Sequence, residues 1–132
     1  MNVIYPGSFS QLDKPYTISD GRIYWGDNEV VDADVKSFVA HSNVWASDKD
    51  RVYVEWRPRK VDRKSFEFLN PVFIKDQNYV YDYQGAIANA DPQTFECLDS
   101  GLQSLPSNIV NYVWARGYGK DFNNVYYHGQ RT

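Results

Sequence analysis

The chain has 132 residues, a formal charge of −3 and 17 % aromatic residues, among them 11 tyrosines and 4 tryptophans. A chain of this length can bury a core of its own as a single domain, residues 1–132, and its one cysteine excludes an internal disulfide. The acidic balance argues against a nucleic-acid partner, and no apolar run reaches the length of a membrane-spanning helix.

The first residues, MNVIYPG, lack a basic segment followed by an apolar one, so the sequence reads as that of a cytoplasmic protein, or of a mature form given a new Met. Val3, Ile4, Tyr5 and Phe9 suggest a short strand or arm that caps the first repeat. From Tyr16 the chain becomes repetitive. Asp20-Gly21 between Thr17-Ile18 and Ile23-Tyr24-Trp25 predicts a hairpin with a type I′ turn, because that turn needs positive φ at both central residues. Trp25-Gly26-Asp27-Asn28 supplies a second turn, and Asp34-Val35-Lys36-Ser37-Phe38 closes the unit.

The second unit turns at Asp48-Lys49-Asp50, alternates through Val52-Tyr53-Val54-Glu55-Trp56 and closes with Asp62-Arg63-Lys64-Ser65-Phe66. The third turns at Asp76-Gln77-Asn78, runs through Val80 to Tyr83, turns again at Gln84-Gly85 and closes with Asp91-Pro92-Gln93-Thr94-Phe95. The turn aspartates at 20, 48 and 76 are 28 residues apart, and the closing motif Asp-x-x-[Ser/Thr]-Phe recurs with them. A fixed period of this size marks a repeat architecture in which single units cannot bury their own apolar face.

In the longer turns the first Asp is expected to accept from backbone N–H groups. The Asp or Asn two residues on, namely Asp50, Asn78 or Asn123, is expected to take a left-handed conformation. The closing motif reads as one helical turn, with Asp34, Asp62 and Asp91 as N-caps and Pro92 at the first helical position. Phe38, Phe66 and Phe95 would then drop onto the sheet, with Leu69 and Leu98 on the same face.

Between Leu98 and Tyr118 the period fails. Asp99 to Gly117 reads as a loop and an extra strand, Ile109 to Trp114, ahead of the fourth unit, Asp121-Phe122-Asn123-Asn124-Val125-Tyr126. The expected fold class is mainly β, of the β-rich α+β kind. Repeated antiparallel meander or hairpin units cover about 16–42, 44–70, 72–98 and 117–132, each closed by one short helical turn, with an insert at 99–116.

Lys75-Asp76-Gln77-Asn78-Tyr79-Val80-Tyr81 and Lys120-Asp121-Phe122-Asn123-Asn124-Val125-Tyr126-Tyr127-His128-Gly129 resemble the bacterial DKNYY-type repeat family, named for its Asp-Lys-Asn-Tyr-Tyr consensus. The resemblance covers roughly residues 16–129. In the first copy the turn is one residue shorter, and in the second Asp50 and Arg51 replace the Asn-aromatic pair. The resemblance implies a fold and a repeat, and it brings no catalytic residues to transfer.

A catalytic reading needs a nucleophile with a base, a paired acid and base, or a metal set. His41 and His128 fall at non-equivalent repeat positions, the glycines lie singly at turns, and the aspartates are explained by turns and caps. The Asp-x-[Asp/Asn] turns open like calcium loops but lack the glycine and distal Glu of one. No enzyme, cofactor or metal site is therefore expected, and Cys97 reads as a structural thiol.

Departures from the repeat rule point to recognition instead. In the second unit Trp56-Arg57-Pro58-Arg59 replaces the second tight turn, and residues 50–64 carry a net +3 in an otherwise acidic chain. The insert adds Tyr112 and Trp114. Trp, Tyr and Arg dominate interaction hot spots, so Trp56, Arg57, Arg59, Tyr112 and Trp114 are the candidate partner-binding residues. The expected function is a non-enzymatic protein-binding module, in its narrower form a bacterial toxin-neutralising (immunity) protein whose acidic body meets a basic toxin domain. The alternative is a structural or cell-envelope-associated repeat protein.

Overall fold

The computed structural model describes residues 15–104, 113–127 and 130–131. Two compact units, residues 1–63 and 64–132, divide the chain, with the boundary inside the second closing motif. In the first unit, β1 (Tyr16–Ser19), β2 (Arg22–Trp25) and β3 (Asn28–Glu29) form one antiparallel sheet. A second sheet is built from β4 (Val39–Ala40), β5 (Trp45–Ser47), β6 (Val52–Val54) and β7 (Arg57–Arg59).

The second unit repeats the pattern with β8 (Glu67–Phe68), β9 (Ile74–Lys75), β10 (Val80–Asp82) and β11 (Gly85–Ala86). After β12 (Glu96–Cys97) the chain makes an excursion through β13 (Leu102–Ser104) and β14 (Val113–Ala115), which pair with each other. It then returns as β15 (Tyr118–Lys120), β16 (Val125–Tyr127) and β17 (Gln130–Arg131), and the sheet order is β12-β15-β16-β17. The chain is mainly β, built of small antiparallel hairpin sheets.

The β1–β2 hairpin has the expected turn. Ser19 pairs with Arg22, and Asp20 and Gly21 carry φ of 52° and 74°, the signature of type I′. The longer turns are organised by a buried carboxylate. Oδ1 of Asp48 accepts the N–H groups of Asp50 and Arg51 at 2.9 and 2.8 Å, and Oδ2 accepts the Tyr53 hydroxyl at 2.7 Å. Asp76 does the same with Asn78, Tyr79 and Tyr81, and Asp121 with Asn123, Asn124 and Tyr126. None of Asp50, Asn78 and Asn123 has a positive φ, contrary to expectation. The carboxylate absorbs the N–H groups that a left-handed residue would otherwise re-aim.

The closing motifs are turns, and no helix occurs among the described residues, which corrects the expected helical turn per unit. The physical reason lies in side-chain competition for the backbone. Asp34 Oδ2 accepts both the N–H and the hydroxyl of Ser37, while the Asp34 N–H donates to Asp48 Oδ2 at 3.0 Å. Ser37 Oγ in turn accepts the Lys49 N–H at 2.8 Å. The third motif matches it: Thr94 Oγ1 donates to Asp91 Oδ2 and accepts from the Phe122 N–H, and the Asp91 N–H donates to Asp121 Oδ2 at 2.9 Å. In the second motif Ser65 Oγ accepts the Gln77 N–H at 2.8 Å. Each turn is thus a latch onto the next hairpin, and a single helical turn gains too little by itself to compete.

Phe38 and Phe95 are buried and Phe66 is half-buried. Phe38 lies 5.5 and 5.9 Å from the rings of Tyr16 and Tyr53, and Phe95 lies 5.0 and 6.0 Å from those of Phe73 and Tyr126. The first core adds Ile23, Val30, Ala40 and Ala46, and the second adds Val72, Val80, Ile87 and Ala90. Leu69 packs against that second core, but Leu98 is 47 % exposed. With no helix after Phe95, strand alternation turns Leu98 outward.

Within the insert the described residues 102–104 and 113–115 pair as two antiparallel strands, so a strand stands in what was expected to be loop, while residues 109–112 of the expected strand lie outside the described residues. At the ends of the first and second repeats a short polar residue caps the corner at this point. Ser42 Oγ accepts from Val44 and Trp45, and Asn70 Oδ1 accepts from Val72 and Phe73. Asp99 takes that role with Gly101 at one oxygen and Tyr118 at the other, and the excursion opens between them. A Cβ on Gly117 would lie 2.1 Å from Asp99 Oδ1, so this return strand requires glycine.

Candidate functional site: a tryptophan–arginine ledge

The residues with chemical potential are largely engaged in the fold. Burial opposes ionisation of Asp48, but the Asp34 N–H, the Tyr53 hydroxyl and the N–H groups of Asp50 and Arg51 outweigh it and hold the carboxyl below its usual range. Asp121 is lowered in the same way, against its burial, by the N–H groups of Asp91, Asn123 and Asn124 and the Tyr126 hydroxyl. Tyr53 is raised by burial and by its bond to Asp48.

His41 Nε2 lies 2.8 Å from Ser47 Oγ, and burial with the nearby Arg63 pulls its pKa down to about 4. Ser47 is only 3 % exposed and His41 is half-buried. Cys97 is pushed up to about 11, first by burial and then by Asp99, with Lys75 opposing. Among the described residues no group of three or more His, Cys, Asp or Glu side chains could hold a metal ion. His128 lies outside the described residues.

A group that the fold does not use in its latches, two half-buried indoles and an exposed arginine, is in the first unit. Trp25 ends β2 and Trp56 sits in the β6–β7 turn, their rings 5.5 Å apart and inclined at 34°. The Trp25 Nε1–H donates to the Asn43 carbonyl at 2.8 Å, which fixes the first ring. The Arg57 guanidinium lies 4.5 Å over the Trp56 ring and 3.6 Å from Glu55. An exposed cation–π contact of this kind is worth about 0.5–1 kcal/mol.

The turn beneath this stack is held at both ends. The Glu55 N–H donates to the Val44 carbonyl at 2.6 Å, and the Tyr16 hydroxyl donates to the Glu55 and Val44 carbonyls. Glu55 has a φ of 58°, which fits the tight two-residue connection between Val54 and Arg57. Edge strand β7 pairs Pro58 with Tyr53, and a proline flanked by arginines shields an edge against further pairing.

Of the five sequence-derived candidates, Trp56 and Arg57 stack directly, and Arg59 is two residues along β7 on the same side as Arg57. Trp114 lies on β14 in the second unit, opposite Gln103. Tyr112 lies outside the described residues. Sequence reasoning missed Trp25. Its signal was positional, since Trp25 immediately precedes the second turn of the first repeat and Trp56 lies in that of the second.

Repeated hairpins, carboxylate-centred turns and a latch from each closing motif to the next hairpin define a tandem β-repeat protein. The DKNYY family matches residues 16–131, and the chain belongs to that family. No curated protein and no solved structure matches it.

Proposed function

We propose that this chain is a non-enzymatic protein-binding module whose recognition ledge is Trp25, Trp56 and Arg57, extended along β7 by Arg59. The observation that carries the reading is the pinned stack of two half-buried indoles under an exposed guanidinium, the side-chain types that dominate hot spots, held in one geometry before binding. The engagement of Asp48, Asp76, Asp121, His41 and Cys97 within the fold supports a role without catalysis. In its narrower form the module neutralises a basic toxin domain. That reading rests on small size and on the acidic charge outside residues 50–64.

Trp56 also packs against the first core, so replacing it would confound binding with stability. Arg57, whose side chain is 57 % exposed, is the cleaner probe. With the partner captured from the native host and identified by mass spectrometry, Arg57→Glu should weaken its binding by about 2 kcal/mol or more while the melting temperature stays put. An unchanged affinity would remove the ledge from the interface.

A further inference from the structure

The ledge carries a charge opposite to that of the chain around it. Residues 50–64 hold +3, which leaves −6 on the rest of a chain whose total is −3. The exposed cations at the ledge are Arg57, which opens β7, and Lys60, just beyond its end, while the half-buried Arg59 lies on the same side of the strand as Arg57. Pro58, paired with Tyr53, closes this edge to an added strand, so a partner reaches the ledge with side chains.

The way Arg57 is held selects what those side chains are. Its Cζ lies 4.5 Å from the centroid of the Trp56 ring, and Trp56 lies 5.5 Å from Trp25, whose Nε1–H is tied to the Asn43 carbonyl. A guanidinium laid on an indole face is oriented by the stacking and keeps its fork of N–H donors at the rim of the stack, where a planar carboxylate pairs with two of them at once. The neighbouring Glu55 carboxylate stands 3.6 Å from Arg57, beyond direct hydrogen-bond distance. It offsets the charge loosely and leaves the fork to an acceptor from outside.

On the reading of Trp25, Trp56 and Arg57 as a recognition ledge, on which this inference rests, we propose that the ledge takes a short acidic segment of a partner protein. One Asp or Glu carboxylate of that segment sits bidentate on Arg57 in place of Glu55, and an aromatic side chain next to it packs on the exposed parts of the two indoles. The acidic remainder of the chain repels a partner that is acidic throughout, so the recognised acid is local, set in a neutral or basic surface. The acidic body then draws the basic surface, and Arg57 reads the acid within it.

The test pans a phage-displayed library of random dodecapeptides against the parent chain and against Arg57→Glu. Peptides recovered on the parent should carry Asp or Glu beside an aromatic residue, and those recovered on Arg57→Glu should carry Lys or Arg there instead. A synthetic acidic peptide from the first pool should bind at least about tenfold more weakly to Arg57→Glu, and also to Arg57→Lys, which keeps the charge but loses the fork. The same peptide should bind about twofold to fivefold more tightly to Glu55→Gln, where the internal competitor is gone. Recovery of no peptide, full affinity in Arg57→Lys, or no gain in Glu55→Gln overturns the proposal. Peptides without an acid that still lose affinity for Arg57→Glu overturn it while leaving the ledge as the interface. Peptides indifferent to Arg57→Glu remove the ledge as well.

Discussion

Replacing Asp121 by Asn tests the carboxylate-centred turn with the smallest change of shape. In the parent, Oδ1 accepts two backbone N–H groups at 2.9 and 2.8 Å, while Oδ2 accepts the Asp91 N–H at 2.9 Å and the Tyr126 hydroxyl at 3.0 Å. An amide NH2 in either position faces donors. Placed at Oδ2 it orphans the Asp91 N–H and forces the Tyr126 hydroxyl to reverse; placed at Oδ1 it orphans two N–H groups. A buried donor left unsatisfied costs about 1–3 kcal/mol, and the surviving bonds lose the strengthening of a charged acceptor, so Asp121→Asn should cost about 3 kcal/mol.

Tyr126→Phe removes one hydroxyl bond and should cost about 1 kcal/mol. The folded-state pKa of Asp121 lies below its unfolded value. Its contribution is therefore complete above about pH 4 and is lost as pH falls through the lower folded pKa. The parent should lose stability on acidification in that window, and Asp121→Asn should flatten the fall while Asp48 sustains the rest of it. Urea unfolding at neutral pH and at about pH 3, followed by circular dichroism, reads both effects. A loss no larger than that of Tyr126→Phe, or an unchanged acid slope, would refute the reasoning.

Phe95→Ala should cost about 3–5 kcal/mol through the cavity left between Phe73 and Tyr126. Asp91→Ala, at a half-buried turn, should cost about 1 kcal/mol; equal small losses in denaturant unfolding would remove the role of Phe95 as a plug. A Cβ on Gly119 would lie 2.3 Å from Phe95 Cζ, so Gly119→Ala should destabilise by about 1–3 kcal/mol, and adding Phe95→Leu should make that loss smaller. With its pKa near 11, Cys97 should alkylate much more slowly than a free thiol at about pH 8, and addition of urea should abolish the difference. Alkylation at the free-thiol rate in the folded chain would contradict its burial.

The repeat itself was legible because it is written in one dimension. The 28-residue spacing, the Asp-Gly hairpin and the inward Phe38 and Phe95 all stem from local chemistry and period. The helical turns were misread because Asp-x-x-Ser scores as a capped helix start. Its decisive bonds run to Lys49, and from the Asp34 N–H to Asp48, fourteen residues away. The same gap hid the tyrosines. Asp48 and Tyr53, Asp76 and Tyr81, and Asp121 and Tyr126 are each five residues apart in the sequence, yet only the four-residue turn folds that spacing into a hydrogen bond. At the candidate site Trp56 and Arg57 were visible as departures from the pattern. Trp25 was not, because its contact with Trp56 crosses from one sheet to the next.

Strands of two to four residues cannot hold a sheet by ladder bonds alone, since even an isolated hairpin is marginal in water. The chain compensates by tying the first and third closing turns to the next hairpins through a carboxylate, a hydroxyl and two backbone donors, and the second through the Ser65 hydroxyl. That device fixes the residue type at the first turn of each later unit, where Asp48, Asp76 and Asp121 recur, and at the Ser or Thr of the closing motif. It places no such demand on the second turn, and there the units differ: Gly26-Asp27, Glu55-Trp56 and Tyr83-Gln84. The proposed ledge of Trp56 and Arg57 lies at one of these second turns, where the latches leave the residue type open.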